Sequence, residues 1–239
     1  MISIAFAIFN LVFNLYMSAL GFSNDIIGVF NSLPALALLG VGLPLAAMAD
    51  RIGYRLFLLG GGSLAVIGSL VLSIAVLAAG TFALALSVLA VLSGPLLAQI
   101  SREAERVSLF AVNQSLAWLA VLIGDLLGGG IPEAAARATR SSSASPGSIR
   151  SAFVVMTLLT VLGLPFLFRL ASEAGLRPTV VMPVRDLLRV DTRRFTRILL
   201  PGFVLGIGAG MYLNFLQLYL AQRFGLTPGP IGLILAVGA

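Results

Sequence analysis

Long apolar runs separated by short polar breaks set the pattern of this chain. Seven stretches carry almost no charge: Ile2–Leu20, Ile26–Ala49, Leu56–Ala79, Thr81–Ile100, Val107–Gly130, Ala152–Leu170 and Ile198–Ala221. An α-helix rises 1.5 Å per residue, so about 20 apolar residues cross a hydrocarbon core of roughly 30 Å. Each stretch is long enough to span as a helix. Their only formally charged residues are Asp125, inside the fifth, and Arg169, at the end of the sixth. The pattern predicts an all-α polytopic membrane protein.

Most breaks are the length of a helical hairpin turn. GFSND (21–25), DRIGYR (50–55) and SREAER (101–106) each reverse the chain. Two connections are longer. Residues 131–150, IPEAAARATRSSSASPGSIR, are small and polar with little to bury, and read as a mobile external loop. Residues 171–197 are Arg-rich, and MPVRDLLRVDTRRF within them reads as a short amphipathic helix on the membrane surface. This linker divides a six-helix bundle (1–170) from the start of a second bundle (198–239).

The second bundle begins like the first. At a shift of 204 residues, Ala5 matches Ala209, Asn10 matches Asn214, and Gly21 matches Gly225. Ile27 and Gly28 match Ile231 and Gly232, and Ser23 is replaced by Thr227 in the same turn. An internal six-helix repeat is expected. Residues 229–239 cover only about a third to a half of a span, so the repeat predicts a chain that continues beyond Ala239.

Charge adds orientation. All 15 basic residues are Arg, in a chain of net charge +6 that is 59% hydrophobic. If the N-terminus is cytoplasmic, Arg51, Arg55, Arg102 and Arg106 lie in the first two inside loops. Arg169, Arg177, Arg185, Arg189, Arg193, Arg194 and Arg197 lie in or beside the third. Only Arg137, Arg140, Arg150 and Arg223 fall outside. That bias follows the positive-inside rule and predicts a cytoplasmic N-terminus. It also accounts for the basic pI without nucleic acid as a partner. The run 185–197 has anionic lipid headgroups as a further candidate partner. No Cys or His is present, which excludes thiolate chemistry, imidazole bases and Cys/His metal sites; no metal or cofactor is expected.

Six helices, a long linker and a parallel repeat resemble the major facilitator superfamily of transporters. Between its second and third helices that family carries G-x-x-x-D-R-x-G-x-R. Here AAMADRIGYR (46–55) matches at Asp50, Arg51, Gly53 and Arg55, with Ala46 in place of the first glycine. The resemblance implies that Asp50, Arg51 and Arg55 belong to a cytoplasmic gate, with Glu103 or Glu105 as charge partners. Read without the family, the same residues make an Arg-anchored turn in which Gly53 permits tight reversal. In the fifth segment, AVLIGDLLGG (120–129) is similar to the antiporter pattern G-x-x-x-G-P-x-x-G-G. It departs at Ala120 and Asp125, and residues 81–100 lack the arginine of drug–proton antiporters.

Two sets of polar residues stand out within the spans. A carboxylate at a helix centre costs about 2.5–3.5 kcal/mol on insertion scales. Asp125 is therefore a candidate to accept a coupling proton or to help close an external gate. The alternative is an outer-end acid wetted by external water. Asn10 and Asn14 lie one turn apart on the first segment, as Asn214 and Gln217 do at spacing three on the seventh. The resemblance implies that both helices line a central cavity, where these amides would face a polar or zwitterionic solute. The alternative is interhelical hydrogen bonding, worth about 0.6 kcal/mol per bond in membranes. Small residues every four positions, at Gly202, Gly206 and Gly210 and at Ala120, Gly124 and Gly128, predict close helix packing. Tyr16 and Trp118 fit either an interfacial or a core position.

The leading functional expectation is a secondary active transporter in the plasma membrane, moving a small solute by alternating access with a proton as candidate coupling ion. A non-transporting membrane half-unit or assembly protein that keeps the fold is the alternative. An intramembrane enzyme is disfavoured, because the few acids do not cluster.

Overall fold

A computed structural model describes residues 2–72, 79–173 and 192–238. The described residues form helices and no strand. In chain order these are α1 (Ile2–Ala19), α2 (Asn24–Ile52), α3 (Tyr54–Leu72), α4 (Ala79–Ile100), α5 (Arg106–Thr139) and α6 (Pro146–Glu173). After the linker come α7 (Thr192–Tyr212), a 3-10 turn (Leu213–Phe215), α8 (Leu216–Phe224) and α9 (Pro228–Gly238). By length and composition, α1, α3, α5, Pro146–Arg169 of α6 and Leu199–Phe224 are each apolar enough to cross a membrane. Helices α2 and α4 fall on the other two predicted stretches.

Helix α1 is apolar on every side and is buried almost all round from Leu11 to Met17. It is the central helix, touching α2, α5, α6, α8 and α9, while α3 packs on α4 and α6. Lipid tails are as apolar as the helices, so van der Waals fit holds spans together, and small residues allow it. A Cβ added to Gly124 would run into the Ala7 methyl, and one on Gly128 would meet the Ile8 Cα at 3.4 Å. A neighbouring face of α5 receives α9, where Gly129 and Gly232 face one another. In α3, Gly68 lies close enough to α4 that a Cβ would sit 2.8 Å from the Phe82 nitrogen.

The two hairpins that follow α1 and α8 share a glycine conformation and a turn bond. Gly21 (φ 85°) and Gly225 (φ 65°) both take the left-handed conformation that ends a helix. Ile27 donates its N–H to the Ser23 carbonyl at 3.1 Å, and Ile231 donates to Thr227 at 3.3 Å. Ile27 and Ile231 are then both fully buried.

Two expectations are corrected. Residues 131–139 continue α5 rather than starting a loop, because alanines and a Glu133–Arg137 pair at spacing four favour helix there (3.9 Å). The seventh span is interrupted at Leu213–Phe215. Gly202, Gly206 and Gly210 meet nothing within 4 Å among the described residues. Tyr16 belongs to the core, edge-on to Phe153 at 5.2 Å, whereas Trp118 is 52% exposed. The surface helix expected within the linker lies outside the described residues over 174–191.

Gly124→Val should lower the thermal unfolding midpoint of the purified protein, by overpacking worth about 1–3 kcal/mol. Gly130→Ala, where a Cβ meets nothing within 4 Å, should leave it unchanged or slightly raised, and differential scanning calorimetry in detergent separates the two.

Candidate functional site: an amide junction beside an aromatic cavity

Asn14 is 2% exposed at the heart of α1, so its amide must find partners inside the protein. It donates through Nδ2 to the Asn214 backbone carbonyl, in the 3-10 turn that breaks the seventh span. Gln217, 4% exposed on α8, donates to the same carbonyl at 3.0 Å and to the Asn10 carbonyl at 2.8 Å. Asn31 of α2 donates to Asn14 Oδ1 at 3.0 Å. Two of the four amides singled out in the sequence, Asn14 and Gln217, therefore meet, with Asn31 as a third, while Asn10 and Asn214 contribute backbone carbonyls. Asn31 was missed, although an amide amid the apolar positions of the second stretch is the same signal that exposed the others.

Beside this junction lies a cavity of about 290 Å³. It is lined by Phe6, Phe9, Asn10 and Phe13 of α1, Phe30, Asn31, Pro34 and Ala35 of α2, Ala83 of α4, and Asn214. Asn10 is eight residues from the start of α1 and nine from its end, so the cavity sits at mid-depth. Phe9 stacks on Phe13 at 4.9 Å, and Phe13 meets Phe30 edge-on at 6.3 Å.

Asp125 is not part of this cavity. It is 7% exposed, and it shares a helix face with Gly129, towards α9. Because α5 runs to Thr139, it lies fourteen residues from the helix end, about 21 Å along the axis.

At the end where α1 meets α2, two polar contacts join the first six helices to the hairpin α8–α9. Asn24 and Gln222 exchange amide hydrogen bonds at 3.4 and 3.2 Å. Thr227 donates to Glu133 at 2.9 Å. At the opposite end, Gly53 closes α2 with φ 102° and its N–H on the Ala49 carbonyl at 2.9 Å, so the glycine of the charged motif meets a backbone need. Arg55 is exposed at the start of α3, and Glu103 and Glu105 are exposed before α5. The side chains of Asp50 and Arg51 lie outside what is described.

The sequence matches the family model of the Major Facilitator Superfamily over residues 1–239. The chain belongs to this superfamily, whose members are membrane transporters, and it is an integral membrane protein with the lipid bilayer and a small solute as partners. No curated protein matches it.

A double-mutant cycle on Asn14→Ala and Asn31→Ala should give a coupling energy of about 0.6–1.7 kcal/mol in unfolding free energy. A value near zero would mean that the two amides act independently and that the junction is not a unit.

Proposed function

We propose that this chain carries the solute-binding part of a secondary active transporter in the plasma membrane, with its N-terminus in the cytoplasm. The six helices of residues 1–170 form one bundle, residues 171–197 the cytoplasmic linker, and residues 198–239 the start of the second bundle. Solute binds where Asn10, Asn14, Asn214 and Gln217 meet. The observation that carries this reading is the helix break whose carbonyl is held by the Asn14 amide of the first helix and by Gln217, beside a mid-depth cavity. Broken helices at the midplane between repeats are how many transporters expose backbone polarity to a solute.

Alternating access needs two arrangements of the bundles, biased by differences in contact between them. In the arrangement described, the α1–α8, Asn24–Gln222 and Glu133–Thr227 contacts close what this orientation makes the external side. Asp50, Arg51, Gly53 and Arg55 form the gate motif of the cytoplasmic side. Asp125, buried between the first bundle and α9, takes up the coupling proton. Its protonation removes a charge from an interface that must separate and re-form, which links proton binding to the change of arrangement.

Two measurements check this reading in the complete protein. Asp125→Asn should abolish solute accumulation driven by a pH gradient in proteoliposomes while sparing downhill exchange; unchanged flux with unchanged pH dependence removes Asp125 from the mechanism. Residues 1–239 contain no Cys, so Asn24→Cys with Gln222→Cys can be bridged by a short bis-methanethiosulfonate, which joins each thiol through a reducible disulfide. Bridging should stop transport, and reduction should restore it. Full transport by the bridged protein rules out opening at this end.

A further inference from the structure

We infer that the cavity beside the amide junction takes an uncharged amphiphile with a flat apolar body and a hydrogen-bond-donating end. This rests on the transporter reading and names the class of solute for the same site. Three features of the cavity carry it.

The first is charge. None of the ten lining residues is ionisable, and Asp125, the buried acid, is not among them. An ion brought to mid-depth would lose its water and find no counter-charge among the described lining residues, which an uncharged molecule avoids. The second is shape. Phe6, Phe9, Phe13 and Phe30 supply four rings around about 290 Å³, room for a molecule of one or two rings.

The third is the polarity of the junction, which one backbone group sets. The Asn214 carbonyl can only accept, so the Asn14 group pointing at it must be the NH2. Asn14 therefore turns Oδ1 towards Asn31, and Asn31 must answer with its own NH2. That leaves Asn31 Oδ1 without a hydrogen-bond partner among the described residues, on a side chain that lines the cavity. A ligand O–H or N–H completes it. The Asn10 side-chain amide also lines the cavity and makes no hydrogen bond among the described residues, so it can follow either polarity.

The test uses one ring in three charge states: indole-3-acetamide (neutral), indole-3-acetate (anion) and tryptamine (cation), at pH 7. Equilibrium binding is measured on the complete protein in nanodiscs, and flux of the same radiolabelled probes in proteoliposomes. The amide should bind at least tenfold tighter than either ion. Phe30→Ala should weaken amide binding about tenfold. Ala35→Asp, which adds a negative charge to the cavity wall and leaves the Asn14–Asn31 bond in place, should invert the order so that tryptamine binds best, a result that loss of packing alone does not produce. Preference of the native protein for either ion, no binding of any probe, or an unchanged order in Ala35→Asp overturns the inference. Amide binding without flux leaves the ligand class standing and removes the transport reading. Flux of an ion without amide preference does the reverse.

Discussion

One backbone carbonyl organises the centre of this molecule. A helix that breaks inside an apolar bundle strips carbonyls of their usual partners, and nothing in hydrocarbon replaces them. The Asn214 carbonyl at the Leu213–Phe215 break is taken instead by two side-chain amides, from Asn14 and Gln217. Those amides fix where the seventh span lies against α1. Through Asn14 the same carbonyl also sets the orientation of Asn31 on α2. The aromatic cavity lies where these three elements are held, so its position follows from satisfying one polar group.

Around that centre, glycine sets distance and amides set register. Gly124 and Gly128 bring α1 against one face of α5, and Gly129 with Gly232 brings α9 against the face beside it. A methyl at several of these positions would collide with its neighbour, so the fit has little slack. Close packing of this kind switches between arrangements rather than deforming smoothly, a property that alternating access needs. The Asn24–Gln222 and Glu133–Thr227 pairs at one end are bonds that can be exchanged for water. Asp125 lies between the rigid and exchangeable parts, buried on the α9 side of α5.

Much of this was legible in advance, for identifiable reasons. The spans were legible because a bilayer demands some 20 apolar residues and tolerates few charges. The four amides were legible because polar groups in such spans are costly and rarely idle. The turn glycines at 21, 53 and 225 were legible because only glycine adopts φ > 0 cheaply. Residues 131–139 misled because small polar composition describes an exposed helix as well as a loop. Asn31 was passed over because it has no partner of its own at helical spacing on α2.

The sequence by itself determined the class of protein, the number and order of most helices, and which polar residues lie inside the spans. These are local properties: hydropathy along one segment, backbone preference at one glycine, the cost of one buried amide. Only the tertiary structure decided that Asn14 reaches across 200 positions to a carbonyl at a helix break, that Asn31 joins it, and that Asp125 faces α9 instead of the cavity. A hydrogen bond depends on the position of both partners to a few tenths of an ångström, and no property of either residue alone carries that information.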